Sequence, residues 1–141
     1  MVIAYVFVAA IMTSAPVPEK KFEKLSTEER AAVRSGVYEG DLETESPERD
    51  GNSRVVVPKP VVAAHRKNAT ETEALLLKIV EGGAPDHAFK AVCYLLELRD
   101  GPGGGYLVSL EFDYSAWDKI DMHWKATPRD HWLDLLKDKK K

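Results

Sequence analysis

Histidines that stand near acidic residues are the side chains of this sequence best suited to chemistry. Asp-His pairs begin at Asp86 and Asp130, and His123 lies between them in the chain. If the two pairs met in space, such side chains could hold a zinc ion or act as an acid/base group. No spacing matches a ligand pair on one helix face, and histidines near helix starts are also ordinary surface residues, so no catalytic, cofactor-binding or metal site is assigned. The candidate ligands are His87, His123, Asp130 and His131.

The available nucleophiles have no activating surroundings. Cys93 is the only cysteine, so the chain cannot form an internal disulfide. It lies among apolar residues, where burial raises the pKa of a thiol and makes the thiolate scarce. Ser109 and Ser115 stand outside any Gly-x-Ser-x-Gly pattern. These residues are predicted to pack in the core or face solvent, which favours a non-enzymatic protein over an enzyme.

Two further segments contain residue types used in ligand binding, but both lack the required pattern. The glycine-rich run 101–105 is not followed by the Lys-Ser/Thr pair and helix of a phosphate-binding loop. The acidic stretch 39–54 has no glycine at the centre of its alternating carboxylates, as a calcium-binding loop requires. We interpret 101–105 as a turn and 39–54 as a solvated acidic loop.

The clearest structural pattern is a pair of consecutive helices within residues 70–98. Thr70 and Glu73 match a capping box at the start of the first helix, and Gly82-Gly83 ends it. Pro85 opens the second helix, which is apolar nearly all round and is therefore expected to be the most buried element. Because about four residues join the two helices, they should pack as an antiparallel hairpin.

Two helices are predicted before the hairpin. A capping box of Ser26 and Glu29 starts a helix that reaches about Tyr38. Pro60 suits the first turn of a short helix that reaches Lys67. The residues that follow, Asn68-Ala69-Thr70, match the N-glycosylation pattern, which matters only in a eukaryotic secretory pathway.

Three segments are predicted after the hairpin, and together they complete a mainly α fold with one or two short strands. Alternation over 106–114 favours a strand, with a buried helix as the alternative. Residues 115–124 follow helical spacing, and a C-terminal helix opens at Pro128, is capped by Thr127 and packs back onto the hairpin. The predicted core consists of Leu76, Ile79, Val80, Phe89, Val92, Leu95, Leu96, Trp117, Ile120, Trp132 and Leu136.

Length and charge restrict the class of protein. The chain has 141 residues, which suits a single small domain that can bury close to two-thirds of its unfolded surface. Its net charge is −3 and its pI is about 5.8. Nucleic-acid binding is not expected, because it usually requires a basic face.

The first fifteen residues contain no charged side chain, and this contrast with the rest of the chain predicts a location. An apolar run of this length is too short to span a bilayer but is long enough for the apolar region of a signal peptide. The small residues Thr13-Ser14-Ala15 suit signal peptidase. We therefore predict a signal peptide at 1–15, a single helical domain at 16–141 and export to the periplasm or outside the cell. The alternative is a buried first strand in a cytoplasmic protein.

The segment 74–98 resembles one unit of the HEAT-type helical repeats. The positions that carry the resemblance are Leu76, Ile79, Val80, Asp86, Phe89, Lys90, Cys93, Leu96 and Leu98, with Lys90 standing where an arginine is usual. Members of that family stack helix pairs, and most bind other macromolecules on a concave face. Since only one copy is visible, the resemblance implies the geometry of the helix pair and assigns no binding residue.

The expected function is that of an exported, non-enzymatic interaction or accessory module that needs no cofactor and whose partner is another protein. The aromatic residues concentrated in the last third of the chain are interpreted as core residues first, and as anchors for a partner second. The alternative function is a small metal-dependent or acid/base hydrolase that uses the four candidate ligands named above.

Overall fold

The computed structural model describes residues 23–46, 53–111 and 113–139. These ranges form a mainly helical fold with a short antiparallel sheet, which confirms the predicted fold class. The predicted signal peptide and the middle of the predicted acidic loop lie outside the described residues. The elements in chain order are α1 (Thr27–Tyr38), β1 (Thr44–Glu45), β2 (Arg54–Val55), α2 (Lys59–Lys67), α3 (Ala69–Gly82), α4 (Pro85–Asp100), α5 (Tyr106–Glu111) and α6 (Pro128–Lys139).

Helices α3 and α4 form the predicted hairpin at the centre of the fold. Every residue of α4 from Ala88 to Glu97 is buried. This continuous burial arises because α1, α3, α5 and α6 all pack against α4. It agrees with the sequence prediction, which was based on apolar residues nearly all round this helix. None of the helices in the three described ranges is long and apolar enough to cross a membrane.

The predicted core is largely confirmed. Buried positions include Leu76, Ile79, Val80, Phe89, Val92, Leu95, Leu96, Trp117 and Leu136. Trp132 is partly buried and packs against the core. The prediction for Ile120 is wrong, because its side chain is mostly exposed.

The capping predictions have different outcomes at the two helices where a capping box was expected. Ser26 and Glu29 form the predicted capping box at α1, with reciprocal hydrogen bonds of 3.1 and 2.7 Å. The box predicted at Thr70 is wrong, because the N-cap of α3 is Asn68, two residues earlier in the chain. The Asn68 side-chain oxygen accepts from the N–H of Glu71, and its amide donates to the Glu23 carbonyl. The asparagine of the glycosylation pattern is therefore buried and engaged in the fold.

The favoured strand at 106–114 is also wrong, because residues Tyr106–Glu111 form helix α5. A strand needs a neighbour for its backbone groups, and in the described residues the only sheet pairs β1 with β2. Helix formation satisfies these groups locally, starting with the N–H of Ser109, which donates to the Gly105 carbonyl. As a consequence Val108 faces the core while Leu107 and Leu110 are exposed.

The segment after α5 is mostly turns rather than the helix predicted over 115–124. A short 3₁₀ turn spans Tyr114–Ala116, and an isolated bridge then joins Asp121 to Ala126. The carboxylate of Asp121 accepts from the N–H of His123, which favours a turn over a continuing helix. This loop explains why Ile120 leaves the core although Trp117 stays in it.

The run of glycines at 101–105 is a tightly packed turn held by a buried carboxylate. Glu97 accepts hydrogen bonds from the backbone N–H groups of Val55, Gly103 and Gly105 at 3.0–3.1 Å. Gly103 has a φ of +95°, and a Cβ at Gly105 would lie 2.3 Å from the carbonyl oxygen of Cys93. Glycine is therefore required here for conformation and for close approach to α4.

Candidate functional site

A pocket of about 250 Å³, the aromatic cleft, opens between the end of α1, the start of α4 and the turn after α5. Three of its walls are the aromatic side chains of Tyr38, Phe89 and Tyr114. Phe89 is buried, whereas Tyr38 and Tyr114 remain 47% and 49% exposed. The remaining lining residues are Gly40, Asp41, Leu42, Asp86, His87 and Lys90.

The start of α4 positions the polar groups of the aromatic cleft. Pro85 is the first residue of the helix, so Asp86 and His87 follow in its first turn. The Asp86 carboxylate accepts from the N–H of His87 at 2.8 Å. The imidazole of His87 meets the ring of Tyr38 edge to face, with centroids 4.9 Å apart. One candidate ligand from the sequence therefore lines this cleft.

Phe89 forms the floor of the aromatic cleft and joins it to the core. Its ring lies 6.1 Å from that of Tyr114 and 5.6 Å from that of Trp117, the latter at a right angle. Edge-to-face packing of this kind holds aromatic rings in defined orientations. The half-exposed ring of Tyr114 therefore packs against Phe89, which is itself held by the core.

Lys90 is the one cation among the residues that line the aromatic cleft, and it is buried. Its ammonium donates to the carbonyl of Gly40 at 2.6 Å and to that of Glu39 at 3.4 Å. These carbonyls lie just beyond the C-terminus of α1, where a positive charge is favourable. The lysine therefore fixes the end of α1 as one wall of the cleft.

A second polar site, the ion cluster, consists of the partly buried residues His65, Glu73 and Arg99. Glu73 accepts from Nε2 of His65 and from Nε of Arg99, each at 2.9 Å. Arg99 also donates from Nη1 to the carbonyl of Leu136, which ties α4 to α6. All three side chains line a cavity of about 710 Å³ together with Thr70 and other residues.

Glu73 is hydrogen-bonded to both of its neighbours in the ion cluster, whereas the buried Nη2 of Arg99 has no hydrogen-bond partner among the described residues. Burial alone would raise the pKa of Glu73, but the hydrogen bonds from His65 and Arg99 outweigh burial and hold that pKa below its ordinary value. The side chains of Glu73 and Arg99 are only 15% and 10% exposed. The cluster can orient His65 through a carboxylate, as acid/base sites do, and it also connects four helices.

The other predicted candidates lie near the C-terminus. The ring of His131 stacks on that of Trp124, with centroids 3.7 Å apart and planes 5° apart. Burial lowers the pKa of His131 although Asp121 and nearby Asp134 favour its charged form, and neighbouring His123 lowers it further. Asp130 is exposed, and its N–H donates to the capping hydroxyl of Thr127 as predicted.

The four candidate ligands do not form a metal site in the described part of the chain. Within residues 23–46, 53–111 and 113–139, no group of three or more His, Cys, Asp or Glu side chains is arranged to hold a metal ion. Cys93 is fully buried, and desolvation raises the pKa of its thiol to about 12, which confirms its predicted packing role. The polar groups that do converge are those of the aromatic cleft and the ion cluster.

Sequence reasoning identified the Asp86-His87 pair but missed its position beside Tyr38 and Tyr114, and it missed the ion cluster. Glu73 matched a capping pattern, and that match concealed its contact with Arg99, which lies 26 residues further along the chain. The available signal was Arg99 itself, a charged residue three positions after the apolar run 91–96. The aromatic cleft had no comparable signal, because Tyr38 and Tyr114 come from distant segments.

The comparisons with known proteins add no assignment to this geometry. The chain matches no protein-family model, no curated protein and no solved structure. Functional inference therefore depends on the two polar sites described above.

Proposed function

We propose that this chain is a non-enzymatic protein-interaction module that works outside the cytoplasm and binds its partner at the aromatic cleft. The observation that carries the proposal is the half-exposed pair Tyr38 and Tyr114 above a buried floor. Tyrosines of this kind supply contact area at low entropic cost and are enriched among the residues that dominate binding energy.

Further apolar surface near Tyr114 supports the proposal. Leu107 and Leu110 are exposed on α5, and they are three residues apart, so they lie on one face of the helix. Tyr114 follows Leu110 by four residues. Exposed apolar side chains that share one helix face are typical of an interaction surface. The resemblance of 74–98 to one HEAT-type unit supports only the helix-pair geometry of α3 and α4.

Site-specific photo-crosslinking tests the interaction. A photoreactive phenylalanine analogue replaces Tyr114 in the full chain, which is then irradiated in its own cell. We expect one defined covalent adduct with another protein. The control carries the same analogue at Lys137, which is exposed on α6 and does not line the cleft. No adduct from position 114, or the same adduct from both positions, would contradict the proposal.

The location rests on the uncharged segment 1–15 and needs its own measurement. N-terminal sequencing and fractionation of the protein from its own cell should find a mature chain that begins near Pro16 outside the cytoplasm. A retained Met1 in a cytoplasmic fraction would favour the buried-strand alternative. In that case, the crosslinking experiment alone would test the proposed interaction surface.

A second candidate function is acid/base hydrolysis at His65. The observation in its favour is the hydrogen bond that the Glu73 carboxylate accepts from Nε2 of His65. Because Nε2 is engaged in this bond, Nδ1 is the ring nitrogen that would take a proton during catalysis. If this function is correct, His65→Gln should lower hydrolysis of p-nitrophenyl acetate by about a hundredfold. His87→Gln is the control. Equal rates in both variants and the natural chain would remove this candidate.

A further inference from the structure

We propose that the aromatic cleft binds the guanidinium group of an arginine side chain presented by the partner protein. This inference rests on the proposed interaction function and names the chemistry that the cleft recognises. Its support comes from the size of the cleft, the three aromatic residues that line it, and the balance of charge among its lining residues.

The volume of the cleft limits the occupant to one side chain. About 250 Å³ is available, whereas pockets for cofactors and drug-sized molecules typically measure about 300–1,000 Å³. A single long side chain inserted from a partner surface matches this volume. The half-exposed rings of Tyr38 and Tyr114 leave the entrance accessible from solvent.

The aromatic walls favour a cation over a neutral or anionic group. Tyr38, Phe89 and Tyr114 line one small pocket, and the face of an aromatic ring attracts a cation through its quadrupole. A guanidinium group can in addition stack flat on a ring, which the compact ammonium of lysine cannot do. The rings therefore favour arginine among the cationic side chains.

The charges of the lining residues point to the same ligand. The carboxylates of Asp41 and Asp86 line the cleft, and the Asp86 side chain is 55% exposed. The buried ammonium of Lys90 is directed to the carbonyls of Gly40 and Glu39. Two carboxylates therefore stand against one buried ammonium, and a carboxylate can bind a guanidinium through two parallel hydrogen bonds.

An anion is the competing occupant, because the N-terminus of α4 reaches the cleft and helix N-termini attract anions. However, Asp86 already supplies a negative charge in the first turn of α4 and accepts from the N–H of His87. A bound anion would face this carboxylate at close range. The first turn of α4 is therefore better suited to a cation held by Asp86.

Titration of the isotope-labelled full chain with small amides tests the inference by NMR. The ligands are N-acetyl-arginine amide and its neutral, nearly isosteric analogue N-acetyl-citrulline amide. We expect saturable shifts of the ring resonances of Tyr38, His87 and Tyr114 with the arginine amide. Its affinity should exceed that of the citrulline amide by about tenfold, and that of N-acetyl-lysine amide by a smaller factor.

Two variants and one matched control locate the binding. Asp86→Asn and Tyr114→Leu should each weaken arginine binding by about fivefold or more, since each removes one of the two recognition features. Asp130→Asn is the control, because Asp130 is also an exposed aspartate in the first turn of a helix but does not line the cleft. It should leave binding unchanged, and unchanged backbone spectra verify that all variants fold.

The outcomes separate this inference from the proposed function. Equal binding of arginine and citrulline amides, or shifts confined to other residues, would overturn the inference. If crosslinking from position 114 still captured a partner protein, the interaction function would stand without the arginine specificity. If both experiments failed, the aromatic cleft would have no binding role.

Discussion

The ion cluster and the aromatic cleft each place a histidine beside a carboxylate, but the two sites differ in how their groups are paired. In the ion cluster, Nε2 of His65 lies 2.9 Å from Glu73, which Arg99 also contacts. In the cleft, Nδ1 of His87 lies 3.9 Å from the carboxylate of Asp86, beyond hydrogen-bond distance. The cleft carboxylate is also far more exposed than the one in the cluster.

This difference separates groups that stabilise the fold from groups that remain available to a ligand. A buried charge is tolerated only when it is paired, and removal of its partner is costly. An exposed carboxylate beside half-exposed rings has little stabilising effect but can gain strong contacts on binding. The comparison therefore predicts that substitutions in the cluster reduce stability and that substitutions in the cleft reduce binding.

The largest effect is expected for Arg99→Ala. The substitution removes the cation that contacts Glu73 and leaves the Leu136 carbonyl without that donor. The free energy of unfolding should fall by about 2–3 kcal/mol, because hydrogen bonds to charged groups contribute about 1.5–3 kcal/mol and this pair is only partly buried. Urea unfolding followed by circular dichroism measures it. The double variant Glu73→Leu, Arg99→Met should recover part of the loss, and no recovery would contradict pairing as the cause.

The second prediction concerns the pH dependence contributed by Glu73. Its pKa in the folded chain lies below the ordinary value of 4.5, despite burial, because of the hydrogen bonds from His65 and Arg99. Its stabilisation is therefore complete above about pH 4.5 and is lost as the pH falls through the lowered folded value. The stability difference between the natural chain and Glu73→Gln should shrink over that range.

Glu81→Gln serves as the control for the pH series, because Glu81 is mostly exposed and its nearest cation is 3.7 Å away. This variant should resemble the natural chain at every pH. Urea unfolding at several values from pH 7 to about pH 3 supplies the comparison. A difference for Glu73→Gln that stayed constant across the series would show that the carboxylate does not stabilise the fold through its charge.

The parts of the fold that sequence reasoning predicted are those set by neighbouring residues. The hairpin follows from leucines at helical spacing and from Pro85 after a glycine pair, and the cap at Thr127 follows from one hydroxyl beside Pro128. Each signal lies within a few residues of the element that it specifies. Periodicity failed at 106–114, where the choice of helix depended on whether a neighbouring strand existed.

The candidate sites could not be predicted in the same way, because their residues meet only after the helices pack. Glu97 is an example. Its carboxylate accepts hydrogen bonds from the N–H groups of Gly103 and Gly105, whereas the sequence of this glycine-rich run indicated only a turn. Arg99 and Glu73 meet across the hairpin, and Tyr38 and Tyr114 meet around α4. Residue types alone gave His87, His123, Asp130 and His131 as candidate ligands, but they did not indicate which side chains each would contact.

A third prediction concerns the exposed ring of the aromatic cleft. Tyr114→Ala should lower the free energy of unfolding by about 1–2 kcal/mol, because only half of the side chain is removed from water in the folded chain. The same variant should lose binding of the arginine amide. Urea unfolding and the NMR titration measure the two effects on one sample. A loss of stability as large as that of Arg99→Ala would remove the distinction between the two sites.

The smallest effect is expected for Arg54→Ala, which removes the same kind of ion pair in an exposed place. Arg54 and Glu45 lie 2.5 Å apart on the short sheet, with side chains 43% and 50% exposed. Water and salt screen this pair, so the loss should be at most about 1 kcal/mol and should shrink further in 1 M salt. Arg99→Ala should remain clearly destabilising in the same salt, because its pair is much less exposed to water. Equal salt sensitivity of the two variants would show that burial does not set the strength of these arginine contacts.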